Sequence, residues 1–186
     1  MKNKKQRYWK VVRSKQIVTS PHFTLRADTI ELPNGTTIGE YTVWQVPDGV
    51  VVVAITKDGN VIFTRQYRHG TGEVLLQLPG GSYDKRKENP KEAAARELLE
   101  ETGYKANKLT YLGEISIYPS KMTKQVCIYL TRDVEQTGTT QFDATEDIEI
   151  ISYHLPDVVK LIEQGKITDA EVIAAILLAA RYLKMV

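Results

Sequence analysis

A run of six apolar residues at positions 50–55 most constrains what this chain can fold into. Side chains of a strand alternate between its two faces, so an uninterrupted run is apolar on both faces. Such strands lie at the centre of a sheet that helices cover on both sides. The turn sequence at 57–60 (KDGN) separates this run from a second predicted strand at 61–67, and the two predict a hairpin.

Shorter segments predict the remaining architecture. Residues 9–12 and 23–30, with a Pro-Asn-Gly turn at 33–35, predict a small N-terminal antiparallel sheet. Strands on both sides of a mid-chain helix, with helices at the end of the chain, indicate an α+β fold arranged as an α/β/α sandwich. The other predicted strands lie at 109–112, 126–130 and 148–154, and the two predicted C-terminal helices lie at 156–164 and 169–183.

The mid-chain helix is the element with the clearest ends. Asn89 is a favourable N-cap, Pro90 suits the first helical position, and Gly103 can adopt the left-handed conformation that ends a helix. These signals predict a helix over 90–102. The sequence before it, 78–81 (LPGG), predicts a strand end that runs into a glycine loop, where backbone can approach a ligand closely.

Three glutamates of this helix, Glu97, Glu100 and Glu101, are spaced so that they project from one face. Arg96 precedes Glu100 by four residues and can pair with it, but one cation does not neutralise three carboxylates. A divalent cation does, and hard oxygen ligands select Mg²⁺ or Mn²⁺ over zinc. A solvated acidic helix face is the alternative interpretation of the same spacing.

Composition and charge weigh against several other classes. Apolar residues make up 42% and charged residues 26% of the chain, which is the balance of a globular domain. A net charge of +2 gives no indication of a nucleic-acid or membrane surface, and no segment approaches the ~18 apolar residues of a membrane span. The single cysteine, Cys127, suits a reducing cytoplasm and is predicted to be a buried structural thiol.

Residues 81–104 resemble the Nudix box, whose pattern is G-x5-E-x7-R-E-U-x-E-E-x-G-U, where U is aliphatic. Glu88, seven residues and then the segment 96–103 (RELLEETG) fit that pattern position by position. Two positions depart from it, because six residues instead of five separate Gly81 from Glu88 and because Tyr104 replaces the last aliphatic residue. The extra residue lies before the helix, so it leaves the register of the helix carboxylates unchanged.

The resemblance implies a fold, a metal site and a reaction. The fold is a Nudix-type sandwich with a mixed sheet over 48–186, preceded by an N-terminal β subdomain over 1–47. Glu97 and Glu101 bind the metal, Glu100 assists, Arg96 orients the carboxylates, and the carbonyl of Gly80 is a further ligand. In this two-metal scheme Mg²⁺ or Mn²⁺ polarises the phosphoryl group and positions the attacking water.

Segments outside the box resemble the ADP-ribose pyrophosphatase branch of the family. These are residues 61–68 (VIFTRQYR), residues 76–81 (LQLPGG), and Pro119, sixteen residues beyond the box glycine. The resemblance implies that Arg68 contacts the diphosphate, and it places Arg65 and Pro119 in the substrate site. An arginine at a strand end suits this role because its planar guanidinium can bind two oxygens at once.

The resemblance also suggests a general base, a base-binding site and a partner. The acidic segment 146–149 (EDIE) resembles the loop of the catalytic glutamate, with Glu146 as the preferred general base and Glu149 as the second candidate. Trp9 and Tyr41 occupy places where rings stack on the nucleobase, although core packing is the commoner role of a strand tryptophan. Members of the branch form homodimers through the N-terminal sheet.

The predicted activity is therefore metal-dependent hydrolysis of ADP-ribose to AMP and ribose 5-phosphate in the cytoplasm. Another nucleotide sugar is an open alternative, because the segment 121–125 (KMTKQ) departs from the branch after Pro119. A Nudix-fold binding module without catalysis is a second alternative, which the intact box argues against. Hydrolysis of capped RNA or of dinucleoside polyphosphates is a third, and the near-neutral charge disfavours a large RNA substrate.

Overall fold

The computed structural model describes residues 8–141 and 147–185. The chain divides into two compact units. One unit consists of Met1–Pro47 and Tyr118–Lys124, and the other consists of Asp48–Ile117 and Gln125–Val186. No helix within the described ranges is long and apolar enough to cross a membrane.

The first unit is built on a three-stranded antiparallel sheet with the order β1-β2-β3. Its strands are β1 (Lys10–Thr19), β2 (Thr24–Glu31) and β3 (Thr37–Gln45). The predicted turn at 33–35 joins β2 to β3, and Gly35 adopts a positive φ of 85° there, which glycine tolerates without strain. The sequence predicted β1 only to residue 12, whereas pairing with β2 carries it to Thr19. All of β1 is exposed.

The second unit contains an eight-stranded mixed sheet. Strand β4 (Asp48–Thr56) is the central strand, as residues 50–55 predict, and it runs parallel to β10 (Gln125–Gln136) and antiparallel to β5 (Asn60–Arg68). The main path of the sheet is β11-β5-β4-β10-β8. The remaining strands of this unit are β6 (Glu73–Gln77), β7 (Gly80–Tyr83), β8 (Tyr104–Lys105), β9 (Thr110–Ser116) and β11 (Ile148–His154).

Two hydrophobic cores lie on the two faces of this sheet. Alternate β4 residues, Val50 and Val52 on one face and Val51 and Val53 on the other, are buried in separate clusters. The first face packs against helix α1 (Pro90–Thr102). The second face packs against α2 (Leu155–Glu163) and α3 (Ala170–Tyr182). This arrangement confirms the predicted sandwich with a mixed sheet and a small N-terminal antiparallel sheet.

Helix α1 has the predicted ends because both signals are local. The Asn89 side chain accepts hydrogen bonds from the N–H groups of Lys91 and Glu92, and the Glu92 carboxylate accepts one from the N–H of Asn89. This is a complete capping box. At the other end Gly103 has a φ of 72°, and its N–H donates to the carbonyl of Leu99, as a left-handed helix end requires.

The predicted glycine loop before α1 is wrong, because Gly80–Tyr83 forms strand β7. This strand pairs antiparallel with β4, so that Gly80 lies opposite Val51 and Gly81 lies opposite Val50. A Cβ on Gly80 would lie 2.2 Å from the carbonyl oxygen of Val50. The absence of a side chain at Gly80 therefore serves close packing of one strand on another.

Candidate active site

Arg96 is the centre of the carboxylate cluster on α1. Its Nε and Nη2 atoms donate to the two oxygens of Glu88 at 3.2 and 2.8 Å. Its Nη1 atom donates to Glu97 and to Glu100, at 3.0 Å in each case. The hydrogen bond to Glu88, together with those to Glu100 and Glu97, raises the pKa of Arg96 against the opposing effect of burial. One guanidinium thus holds three carboxylates in fixed positions.

Strand β7 lies directly against two of the predicted metal ligands. A Cβ on Gly81 would lie 2.4 Å from Oε1 of Glu97, so that any larger residue would displace this carboxylate. The N–H of Gly80 donates to Oε2 of Glu101 at 2.9 Å. Glu101 is only 8% exposed, and a buried carboxylate needs such donors. The two adjacent glycines therefore contact two glutamates that lie one helical turn apart.

The chemistry of the donors fits a divalent cation. Glu97, Glu100 and Glu101 offer only oxygen atoms, which Mg²⁺ and Mn²⁺ prefer to nitrogen or sulfur. Within the described residues no three His, Cys, Asp or Glu side chains are already gathered closely enough to hold a metal ion. The carboxylates of Glu97 and Glu100 accept hydrogen bonds from Arg96. The carboxylate of Glu101 accepts one from Gly80. The role of the Gly80 carbonyl as a further ligand stays a prediction.

Arg65 and Glu149, which were predicted for different roles, form an ion pair. Arg65 on β5 and Glu149 on β11 lie opposite each other in the sheet register, and the Arg65 guanidinium donates to the Glu149 carboxylate. Both side chains are about half exposed, at 49% and 56%. The candidate second base is thus engaged by a candidate substrate-binding arginine. Glu146, the preferred base, lies outside the described residues.

The segment that leads to residues 142–146 is bonded to the C-terminal end of α1. The N–H groups of Thr137 and Gly138 donate to the carbonyl of Gly103 at 3.0 and 3.2 Å, and the N–H of Gln141 donates to the carbonyl of Glu100 at 2.9 Å. These bonds satisfy carbonyls that a helix end leaves without an internal partner. Residues 137–141 therefore lie beside the end of the helix that carries the glutamates.

Arg68, the predicted diphosphate contact, is held by a residue that sequence reasoning missed. Its Nε atom donates to Oε1 of Gln77 on β6. The Nε2 atom of Gln77 donates in turn to Oδ2 of Asp169 at 2.8 Å. Gln77 is the second residue of the segment 76–81 (LQLPGG) that contributed to the family resemblance, so its position was visible in the sequence although its contact was not.

The predicted base-binding residues lie in the first unit. The rings of Trp9 and Tyr41 are 5.9 Å apart and nearly perpendicular, at 86°. A planar base parallel to one ring would therefore be perpendicular to the other. The ammonium group of Lys121 lies 3.6 Å from the centre of the Tyr41 ring, and the Tyr41 hydroxyl donates to the carbonyl of Ser120. Pro119 belongs to the same short segment, Tyr118–Lys124.

Sequence reasoning missed four residues of these clusters. Glu88 was noticed as part of the box but not as the main partner of Arg96, although its fixed spacing from Arg96 was the available signal. Gly81 lies next to Gly80, a predicted ligand, and Lys121 begins the segment 121–125 that departs from the branch after Pro119. The missed residues are Glu88, Gly81, Gln77 and Lys121.

Comparison with known proteins gives consistent matches over both units. Residues 46–176 match the NUDIX domain, and residues 9–44 match the nucleoside diphosphate sugar hydrolase N-terminal domain. The chain is 30% identical to an ADP-ribose pyrophosphatase of Bacillus subtilis (strain 168), with 90% of each chain covered. It is 29% identical to the ADP compounds hydrolase NudE of Escherichia coli (strain K12), with coverage of 90% and 89%. A crystal structure of an ADP compounds hydrolase superposes with a TM-score of 0.83 at 27% identity, covering 97% of each chain.

Proposed function

This chain belongs to the Nudix family and is a Nudix pyrophosphohydrolase, and from that premise we propose that it hydrolyses ADP-ribose to AMP and ribose 5-phosphate with Mg²⁺ or Mn²⁺. The observation that carries the proposal is the carboxylate cluster around Arg96, with Glu97 packed on Gly81 and Glu101 bonded to Gly80. A binding module without catalysis has no need of this arrangement.

Each group of the site has a proposed task. Glu97 and Glu101, assisted by Glu100 and the Gly80 carbonyl, would hold the divalent cation. When bound, the cation supplies polarisation of the phosphoryl group and charge neutralisation. Arg96 offsets the repulsion between Glu97 and Glu100 and orients both carboxylates, which matters because positioning and charge stabilisation account for most of phosphoryl-transfer catalysis.

Substrate contacts are assigned to the arginines and to the first unit. The guanidinium groups of Arg68 and Arg65 bind oxygens of the diphosphate, because an arginine can bind two phosphate oxygens at once. Tyr41 or Trp9 would stack on the nucleobase, and Pro119 is a further proposed substrate contact. Stacking of this kind gives affinity for any base and little choice among bases.

Glu146 is the proposed general base. It takes a proton from the water molecule whose oxygen attacks one phosphorus of the diphosphate. The P–O bond to the bridging oxygen breaks at the same time, and AMP and ribose 5-phosphate are the two products. The ion pair of Glu149 with Arg65 supports this choice, because an engaged carboxylate is less available to bind water. In a pH–rate profile, Glu146→Gln should lose the acidic limb, whereas Glu149→Gln should retain it. The reverse pattern would assign the base to Glu149.

A homodimer formed through the first unit completes the proposal. Strand β1 is exposed along its whole length at the edge of its sheet, and unpaired sheet edges favour pairing with another chain. Several of its apolar side chains are about half exposed, namely Val11, Val12, Ile17 and Val18. Sedimentation velocity at several concentrations tests this proposal, and a monomer at all concentrations would contradict it.

A second substrate class is favoured by a specific observation. Residues 9–44 match an N-terminal domain that is described for nucleoside diphosphate sugar hydrolases, so another nucleotide sugar is the alternative substrate. The deciding experiment incubates the protein with ADP-ribose, several sugar nucleotides and dinucleoside polyphosphates, each with Mg²⁺ or Mn²⁺. Phosphate released by added phosphatase then reports turnover. Absence of turnover for every compound would favour a binding module.

A further inference from the structure

The side chain of Gln77 connects the predicted diphosphate-binding arginine to the start of helix α3. On one side its Oε1 atom accepts from Nε of Arg68, and on the other its Nε2 atom donates to Oδ2 of Asp169. Asp169 is the N-cap of α3, and its Oδ1 atom accepts from the N–H groups of Glu171 and Val172 at 2.8 and 3.2 Å. A primary amide fits this place because it both donates and accepts.

The anchor of this chain of hydrogen bonds is rigid. Asp169 is fixed by two main-chain donors and by the favourable field at a helix N-terminus. Helix α3 is itself held by apolar residues buried in the core, including Val172, Ala175 and Ile176. Gln77 is half-buried on β6, which pairs with β5. The Gln77 amide is therefore held by its strand, β6, and by its bond to Asp169, in addition to its contact with Arg68.

The contact with Gln77 involves only the Nε atom of Arg68. Among the described residues, Gln77 is the only side-chain partner of the Arg68 guanidinium. The bond uses Nε, so within residues 8–141 and 147–185 both terminal nitrogens are left to bind oxygens of an anion. A long exposed side chain loses conformational freedom when it binds a ligand, and a side chain that is already oriented loses less.

We propose that Gln77 is a positioning residue that orients the Arg68 guanidinium for the diphosphate, with Asp169 as its fixed anchor. The proposal rests on the proposed function, since it requires that Arg68 bind the substrate. Gln77 acts through Arg68 and has no contact with the reacting atoms. Its loss therefore weakens substrate binding more than it slows the chemical step.

The first test is Gln77→Met, which keeps the length of the side chain and removes both hydrogen bonds. KM for ADP-ribose should rise by about tenfold, as for the loss of one hydrogen bond to a charged group, while kcat changes much less. The matched control is Gln125→Met, since Gln125 is another half-buried glutamine whose Oε1 accepts from Ser116 at 3.0 Å. Gln125→Met should leave both KM and kcat at their native values.

The second test uses Asp169→Asn, which keeps an N-cap of equal quality but removes the negative charge that accepts from the amide. KM should rise in this variant as well, with less effect than in Gln77→Met. Combining the two substitutions should add little, because both break the same chain of bonds. Fully additive effects in the double variant would overturn the proposed coupling.

A spectroscopic readout separates this proposal from the activity itself. The Nε–H signal of Arg68 in a proton–nitrogen NMR spectrum, assigned by its absence in Arg68→Lys, should exchange slowly in the native protein and be lost in Gln77→Met. If Arg68→Ala raises KM but Gln77→Met leaves KM and the signal unchanged, the positioning role is wrong. If the native protein neither binds nor hydrolyses ADP-ribose, the proposed function fails, and the signal alone then decides whether Gln77 holds Arg68.

Discussion

The N–H of Gly80 donates a hydrogen bond to the carboxylate of Glu101 across 2.9 Å, and this bond joins strand β7 to helix α1 at the candidate metal site. Glu101 is the most deeply buried of the three predicted helix ligands, with 8% of its surface exposed. Burial strengthens the interaction of a carboxylate with a nearby cation because little water screens it. Glu101 is therefore the residue whose charge we expect to matter most.

Glu101→Gln should reduce kcat by about a hundredfold to a thousandfold, which is the usual effect of losing one preorganised electrostatic group. The amide oxygen can still accept from Gly80, so the thermal midpoint should change little. Titration with Mn²⁺, followed by electron paramagnetic resonance, should show weaker metal binding. Glu92→Gln is the control on the same helix, since a capping box accepts glutamine. Native turnover by Glu101→Gln would refute the metal role of this residue.

Gly81→Ala should also inactivate the enzyme, for a steric reason. The new Cβ would lie 2.4 Å from Oε1 of Glu97, so that the carboxylate must leave its position. Gly70→Ala is the matched control, because a Cβ there meets no atom within 4 Å. Turnover and metal affinity should fall in the first variant and stay native in the second. Equal activity of both variants would show that Glu97 needs no fixed position.

Arg96→Lys should lower kcat/KM by more than tenfold and reduce stability. Lysine keeps the charge but cannot donate to Glu88 with two atoms while also bonding Glu97 and Glu100. The control is Arg86→Lys, since Arg86 makes a similar two-atom contact with Asp84 on an exposed turn, where an ion pair contributes little. Steady-state kinetics and thermal melts of both variants check this expectation, which an active, stable Arg96→Lys protein would contradict.

The sequence predicted elements whose signals are local. Helix α1 covers the predicted residues 90–102 because Asn89, Pro90 and Gly103 mark its ends within the sequence itself. The predicted strand at 148–154 also agrees with β11. Helices α2 and α3 differ from the prediction by one residue at each end.

Features that depend on distant pairing were not predictable. Strand β7 contains two glycines, which are uncommon in strands, and it forms because Gly80 permits close approach to Val50 on β4. The same holds for the candidate site. Residue types indicated Arg65 and Glu149 individually, but only the register of β5 against β11 places them opposite each other. Side-chain partners across a sheet depend on register, which local pattern alone leaves open.

The stability of the fold at high pH should depend on Tyr129, which lies on β10 and is 5% exposed. Burial is the main cause that raises the pKa of Tyr129 to about 12 from its ordinary value of 10.0. The folded state therefore favours the protonated phenol. The stability that Tyr129 contributes is fully present below the pKa of its phenol in the unfolded chain. It is lost as pH rises through the pKa of the same phenol in the folded protein.

Tyr129→Phe should accordingly flatten the loss of stability between pH 10 and pH 12, because phenylalanine has no proton to lose. Urea unfolding midpoints measured from pH 8 to pH 12 check this expectation. Tyr182→Phe removes a hydroxyl from a side chain that is 57% exposed, and it should leave the native pH dependence in place. If both variants follow the native curve, alkaline unfolding starts elsewhere in the chain and the buried phenol of β10 does not control it.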